Sequence, residues 1–224
     1  MIKYKNLTIL GTSHIARQSI IQVKQALMSI TPDILALELD KERFFALKSK
    51  TKTNIFSLEI YRKLGFKPFL FNLIGSYIEK KLSKSTGILP GTEMKTAINL
   101  AKKNNIQVAL IDQPIQITLK KLTSQLTRKE KLSLLKDILF SLFSKKQAEF
   151  DLNEVPSEKI IAKLITQTKE KYPTVYRILV KERNEYMAKA LYKIINTNQH
   201  KKVLAIMGAG HQKEIIGELK LIKN

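Results

Sequence analysis

Four short runs of apolar residues are the clearest pattern along the chain. They lie at Leu7–Leu10, Ile34–Leu39, Val108–Ile111 and Val203–Met207. Each run is continuous rather than alternating and is bounded by polar residues, glycine or proline, which is typical of a strand buried on both faces. The pattern therefore predicts four buried strands.

Two stretches between these strands have apolar residues at spacings of three and four, the pattern of an amphipathic helix. The first has them at 20, 23, 27 and 30 and stops near Thr31-Pro32, just before the second strand. The second has them at 94, 97, 98 and 101 and stops at Asn104-Asn105. This succession predicts an α/β fold with a central, mainly parallel sheet flanked by helices.

Two longer segments, about 44–86 and 118–198, interrupt the alternation of strands and helices. Both have helical spacing, so we predict a single domain, 1–224, with helical insertions, the second of them large. Residues 65–82 of the first insertion (GFKPFLFNLIGSYIEKKL) combine apolar side chains with lysines. A helical hairpin that buries its aromatic side chains is the favoured interpretation, with an interfacial membrane helix and a peptide-binding groove as alternatives.

Composition limits the possible metal ligands and the possible binding partners. The chain has no cysteine, so disulfides and thiolate metal sites are excluded and any metal must be held by His, Asp or Glu. The formal charge of +21 would suit an anionic partner such as nucleic acid. Only six of the 40 basic residues are arginine, whereas specific phosphate and base recognition favours the guanidinium group. A nucleic-acid partner is therefore disfavoured.

Sequence patterns also bear on location. The amino-terminal MIKYKNLTIL has too short an apolar run for a signal peptide. The chain has no stretch of about twenty uninterrupted apolar residues, so no transmembrane helix is expected. We therefore expect a cytoplasmic protein, with peripheral membrane association through residues 65–82 as an alternative. The oligomeric state is open, with a homodimer as one alternative.

Side chains that could bind a metal or take part in catalysis follow each predicted strand. Gly11–His14 (GTSH) follows the first strand and Gly208–His211 (GAGH) follows the last, which makes two matching Gly-x-x-His turns. Glu38 and Asp40 come at the end of the second strand and Asp112 at the end of the third. Because ligands bind at the carboxyl ends of strands in open parallel sheets, we expect one site at this edge.

The residue types suit a divalent metal ion. Neutral imidazoles with one or two carboxylates form a nitrogen and oxygen site for Mn²⁺, Co²⁺ or Zn²⁺. An open position on the ion would acidify a bound water, and a second carboxylate would take its proton. Glu93, at the predicted start of a helix, is a candidate for either role, although a carboxylate there also simply complements the helix dipole. Each histidine is equally consistent with a hydrogen-bonded residue at a strand end.

Five segments resemble, in order, the motif blocks of the TraB/PrgY family. They span most of residues 8–217 and read GTSHIARQS, PDILALELDKERF, PGTEMKTAINLAKKNNIQVALIDQ, ERNEYMAKAL and VLAIMGAGH. The family is similar to the Tiki metalloproteases and more distantly to the ChaN-like and erythromycin-esterase-like group. The resemblance implies an α/β fold with two Gly-x-x-His motifs and acidic residues around one site. Bacterial relatives are linked to shutdown of peptide sex pheromones, and Tiki proteins to metal-dependent amino-terminal proteolysis.

The resemblance also implies roles for individual residues. The metal-binding or catalytic set is His14, Glu38, Glu93 and His211, with the two glutamates as the catalytic carboxylates. A second set would orient carboxylates or bind a substrate carboxylate, and consists of Arg43, Asp112 and Arg183. Together they imply a divalent-metal-dependent hydrolase, a peptidase that acts on peptides.

The chain departs from the family pattern at two places. The usual Ile-Asp-Arg-Asp is Ile111-Asp112-Gln113-Pro114 here, and the usual Glu-Arg-Asp is Glu182-Arg183-Asn184. A cation and two acids are thereby missing near the expected site. These departures, together with the apolar and basic segment 65–82, favour an alternative function, a non-catalytic member that binds peptides or membranes.

Overall fold

The computed structural model describes residues 1–13, 17–48, 89, 91–143 and 157–222, without the side chains of 138–143. His14 and the segment 65–82 lie outside these residues, as does most of the first predicted insertion. The structure therefore does not test what the sequence predicts for these residues.

Five strands form one sheet in the order β1-β2-β5-β3-β4. Their bounds are Ile2–Tyr4 (β1), Leu7–Thr12 (β2), Ile34–Leu37 (β3), Gln107–Leu110 (β4) and Val203–Gly208 (β5). β1 is antiparallel to β2, and every other pair is parallel. The predicted mainly parallel α/β sheet is confirmed. β1 was not predicted, because three residues are too few to show a strand period.

Helices surround this sheet. In chain order they are α1 (Arg17–Ile30), α2 (Lys41–Lys48), α3 (Thr92–Lys103), α4 (Ile115–Gln125), α5 (Arg128–Phe143), α6 (Glu158–Lys171), α7 (Pro173–Tyr176), α8 (Glu182–Thr197) and α9 (Gln212–Ile222). A π-helical segment, Arg177–Lys181, joins α7 to α8. α1 and α3 end where the sequence predicts, beside Thr31 and Asn104.

Both faces of the sheet are apolar because side chains alternate along each strand. On β3, Ile34 and Ala36 pack with α8 and α9, whereas Leu35 and Leu37 pack with α1 and α3. The same alternation holds along β5, where Leu204 joins the α1 and α3 side. The continuous apolar runs therefore correspond to strands covered by a helix layer on each face.

The second strand is shorter than predicted. β3 ends at Leu37, although the apolar pattern continues to Leu39. The backbone N–H of Glu38 still donates to the Ile206 carbonyl at 3.1 Å, but Leu39 N–H turns back to the Leu37 carbonyl at 2.7 Å. Leu39 remains buried. This turn ends the strand and leaves the Glu38 side chain at the edge of the sheet.

The described part of the second insertion is helical and contains α4 to α8. Pro173 begins α7, a position at which its missing backbone N–H is not needed for a hydrogen bond within the helix. Of the first insertion only 44–48, the end of α2, is described. Within the described residues, no helix is both long and apolar enough to cross a membrane.

Candidate functional site

Glu38 lies at the centre of the candidate site, directly after β3. Its side chain is 4% exposed, and Oε2 accepts a hydrogen bond of 2.5 Å from the backbone N–H of Gly208 on neighbouring β5. Glu38 follows Ile34 and Ala36 in the strand alternation, so it points to the face that α8 and α9 cover. The end of β5 therefore holds the carboxylate in one position.

His211 faces this carboxylate from the turn after β5. The turn is closed by the His211 N–H, which donates to the Gly208 carbonyl at 3.0 Å. It is tied to β2 through Ala209 N–H and the Thr12 carbonyl, at 2.9 Å. These bonds place His211 Nε2 3.4 Å from Glu38 Oε1.

Asn184 on α8 holds the other side of the imidazole. His211 Nδ1 lies 2.5 Å from Asn184 Oδ1, and the Asn184 amide nitrogen donates to Glu214 Oε2 at 2.5 Å. Asn184 is 1% exposed, so no solvent competes for its amide. Because an amide oxygen only accepts, His211 carries a hydrogen on Nδ1, and in the neutral ring the lone pair is then on Nε2, on the side of Glu38.

Arg183 joins two carboxylates beneath this pair. Its Nε donates to Asp112 Oδ1 at 3.0 Å and its Nη2 to Asp112 Oδ2 at 2.6 Å, while Nη2 also contacts Glu38 Oε1. Burial alone would lower the pKa of Arg183, but the neighbouring negative charges of Glu38 and Asp112 raise it above its ordinary value. The guanidinium therefore stays charged and neutralises part of the acidic cluster.

A π-helical turn sets the position of Arg183. Glu182 N–H bonds to the carbonyl of Arg177, five residues earlier, rather than to the residue four back. Arg183 Nη1 donates to the Leu179 carbonyl at 3.1 Å. Inserting one residue in a helical turn rotates everything after it, and such turns are frequent at functional sites. Here the rotation directs Arg183 and Asn184 toward the ends of the strands.

Arg43 completes the ionic network on the side of α2. Its Nε lies 3.1 Å from Asp40 Oδ2, and its Nη2 contacts Asp112 Oδ2. Asp40 also accepts from the backbone N–H groups of Arg43 and Ile115, at 2.8 and 3.1 Å. Asp112 is thus held by two arginines, one from each side of the site.

The two departures from the family pattern have local partners. The Gln113 side chain is buried and donates to Thr118 Oγ1 of α4 at 3.0 Å. Asn184 is the direct neighbour of His211. The Gln113 side chain therefore bonds to a neighbouring helix, whereas Asn184 is part of the candidate site.

The two Gly-x-x-His turns leave the sheet from adjacent strands. β2 and β5 are in parallel register, with Gly11 beside Met207 and Thr12 beside Gly208. The first turn is described as far as Ser13, whose N–H donates to Ser19 Oγ at 2.8 Å. His14 follows directly but lies outside the described residues, so its distance from His211 stays untested.

A divalent ion fits this donor set in part. Two ligands about 2.1 Å from one ion at a tetrahedral angle lie about 3.4 Å apart, which matches the separation of His211 Nε2 and Glu38 Oε1. In the portion of the chain that the structure describes, no three His, Asp or Glu side chains converge closely enough to hold an ion. A complete site would need a further ligand, for which His14 is the sequence candidate.

Glu93 is also a buried carboxylate, 1% exposed, in the first turn of α3. Gly91, with a φ of 80°, precedes this helix. Among the described contacts, no hydrogen bond links Glu93 to the network around Glu38. Its role as a ligand or proton acceptor stays a prediction.

Comparison with known proteins places the chain in a family. Residues 2–224 match the model of the TraB/PrgY/gumN family. The chain belongs to this family. The TraB/PrgY resemblance seen in the motif blocks is thereby confirmed over nearly the whole sequence.

Individual proteins are similar to this chain over about half of their own length. The uncharacterized protein MJ1365 of Methanocaldococcus jannaschii is 34% identical over 222 residues, which cover 98% of this chain and 54% of that protein. TraB domain-containing proteins of Bos taurus and Mus musculus are 23% identical over 189 residues, 80% of this chain and 50% of theirs. The chain spans about half the length of these curated relatives.

Sequence reasoning missed the two side chains behind His211. Asn184 was noted only as a lost acid, and Glu214 was not singled out. Glu214 does lie three residues after His211, at the start of a helix, a spacing that puts both on neighbouring positions of the first turn. Asn184 had no comparable local signal.

Proposed function

We propose that the protein is a divalent-metal-dependent hydrolase, a peptidase that acts on peptides. His211, Glu38 and His14 would hold Mn²⁺, Co²⁺ or Zn²⁺, and Glu93 would handle the proton. One observation carries the proposal: His211 Nε2 lies 3.4 Å from the buried carboxylate of Glu38, at the carboxyl end of a parallel sheet.

The surrounding residues suit this chemistry. A bound divalent ion would polarise the scissile carbonyl and promote attack by water. Asn184 orients the His211 ring, and Gly208 N–H holds Glu38, so neither donor needs to reorganise. Arg183 lies between Glu38 and Asp112 and reduces the repulsion between the two carboxylates.

Metal binding is the first test. The purified full chain is stripped with chelator and titrated separately with Mn²⁺, Co²⁺ and Zn²⁺, with calorimetry as the readout. We expect His211→Ala and His14→Ala to weaken binding at least about tenfold. His200→Ala is the matched control, because His200 is exposed in the turn before β5, whereas His211 follows the other end of that strand, and its loss should leave affinity unchanged.

Cleavage is the second test. A mixed peptide library is incubated with the metal-loaded wild type, His211→Ala and His200→Ala, and new termini are identified by mass spectrometry. We expect cleavage by wild type and His200→Ala only. No metal bound by the wild type, or equal cleavage by all three proteins, would contradict the proposal.

A second candidate is a non-catalytic member that binds peptides. It is favoured by the saturation of the carboxylates: both Asp112 oxygens accept from arginine, and both Glu38 oxygens accept hydrogen bonds. A network closed in this way serves as a structural support. This candidate predicts peptides retained on the protein without new termini, and the same retention by His211→Ala. Liposome sedimentation at low salt tests its membrane form, since low salt strengthens surface electrostatics.

A further inference from the structure

We infer that Glu214 selects the tautomer of His211 by fixing the orientation of the Asn184 side-chain amide. Glu214 would thus be a positioning residue that acts on His211 without contacting it. The consequence for metal binding rests on the proposed function, whereas the tautomer itself does not.

The first step is that Glu214 presents only acceptors to its neighbours. It lies in the first turn of α9, where the helix dipole favours a negative charge. Tyr176 OH donates to Oε1 at 3.3 Å. Burial, and then the charge of Glu214, raise the pKa of Tyr176, so the phenol keeps the proton that it donates.

The second step is the orientation of Asn184. An amide side chain has a donor end and an acceptor end, and Glu214 Oε2 can bond only to the donor end. The 2.5 Å contact between Glu214 and Asn184 therefore requires Nδ2 on that side and Oδ1 on the side of His211. With Asn184 1% exposed, water cannot stabilise the reverse orientation.

The third step concerns the imidazole. Asn184 Oδ1, 2.5 Å away, can only accept, so His211 must carry its hydrogen on Nδ1. In the neutral ring, Nε2 then keeps its lone pair on the side of Glu38. In the other tautomer, Nε2–H would donate toward Glu38 Oε1, 3.4 Å away, and could not bind a cation.

An aspartate at position 184 would hold the His211 hydrogen on Nδ1 without help from Glu214, because a carboxylate accepts this hydrogen in either orientation. Here the neutral amide of Asn184 accepts the hydrogen, and the carboxylate of Glu214 fixes the orientation of that amide. The arrangement therefore predicts that Asn184→Asp removes the need for Glu214.

The experiment records two-bond ¹H–¹⁵N spectra of the metal-free full chain, labelled at histidine, with the pH raised until the ring ¹⁵N shifts no longer change, so that the neutral imidazole is observed. We expect the wild type to show one tautomer with the hydrogen on Nδ1, and Glu214→Ala to show a mixture of both. The double variant Glu214→Ala with Asn184→Asp should restore the single tautomer. Glu218→Ala, which removes a carboxylate one turn later on α9, is the matched control and should leave the spectrum unchanged.

Three results would overturn the inference: a wild type with the hydrogen on Nε2, an unchanged tautomer in Glu214→Ala, or a double variant that is not rescued. If Glu214→Ala fails to fold, Glu214→Gln replaces it, because a glutamine no longer forces the amide orientation and a mixture is again expected.

A metal titration of the same proteins separates this inference from the proposed function. If both hold, Glu214→Ala lowers metal affinity about tenfold and the double variant recovers it. A tautomer change without any metal binding by the wild type would uphold the inference and contradict the proposed function. An unchanged tautomer in Glu214→Ala, together with metal binding by the wild type, would contradict the inference and leave the proposed function standing.

Discussion

Arg183 and Asp112 form a two-point ion pair, with Nε 3.0 Å from Oδ1 and Nη2 2.6 Å from Oδ2. The pair ties α8 to the end of β4, and Arg183 reaches on to Glu38. The Asp112 side chain is fully buried and that of Arg183 is 15% exposed. This contact therefore connects the start of α8 to the ends of β3 and β4.

Arg183→Lys should destabilise the protein by about 3 kcal/mol, because one ammonium cannot replace the planar two-point contact and leaves buried carboxylates poorly paired. Urea unfolding measures the change. Arg177→Lys is the control: Arg177 bonds to Glu182 at 2.6 Å but is 44% exposed, so its loss should cost under about 1 kcal/mol. Equal costs for the two variants would contradict a structural role specific to Arg183.

Glu130 forms a capping box at the start of α5, with Thr127 N–H donating to Oε2 at 3.1 Å and Glu130 N–H to Thr127 Oγ1 at 3.1 Å. Its Oε1 also accepts from Thr174 N–H at 2.8 Å. Burial raises the pKa of Glu130, but the hydrogen bonds from Thr174 and Thr127 outweigh it and the pKa is lowered overall.

Glu130→Gln should therefore cost about 1 kcal/mol at neutral pH. A lowered folded-state pKa means that the stabilisation is present above the unfolded value of about 4.3 and is lost as pH falls through the folded value. The difference between wild type and variant, measured by urea unfolding at several pH values, should shrink in that acidic range. Glu170→Gln, on the exposed face of α6, should change nothing, and a pH-independent difference for Glu130→Gln would refute the explanation.

Gly11→Ala should destabilise the protein modestly. An added Cβ would lie 2.5 Å from Cδ of Gln212, whose amide donates to the Ile9 carbonyl at 3.3 Å. Gln212 can swing away, so the cost is the lost hydrogen bond, about 1 kcal/mol. Gly217→Ala should instead stabilise α9 by about 0.5–1 kcal/mol, because nothing lies within 4 Å and alanine favours a helix. Thermal unfolding compares the two, and equal signs would contradict this account.

Binding to nucleic acid should be weak and sensitive to salt. The charge of +21 comes mostly from lysine, with six arginines in the chain, so attraction to phosphate is expected without base recognition. Fluorescence anisotropy with a labelled oligonucleotide should show binding at low ionic strength and none at about 0.15 M salt, where the Debye length is about 8 Å. Sequence-selective binding at that salt concentration would contradict the expectation.

Local patterns in the chain were sufficient to predict the four parallel strands of the sheet, but not the edge strand β1. A parallel strand covered by helices on both faces needs mostly apolar side chains on both faces, so 7–10, 34–39, 108–111 and 203–207 could be recognised without any partner. The mainly parallel arrangement is confirmed. The end of the second strand was wrong by two residues, because Leu39 is buried in a turn and an apolar pattern does not distinguish the two.

The sheet edge that collects the polar groups could also be predicted, because carboxyl ends of parallel strands meet at one edge. Glu38, Asp112 and His211 do lie there together. Tertiary structure alone decided which side chains contact them. Asn184 and Arg183 face the edge because a π-helical turn rotates α8, and Glu214 reaches Asn184 because α8 packs beside α9. Helix rotation and packing depend on contacts between segments distant in sequence, which no local pattern contains.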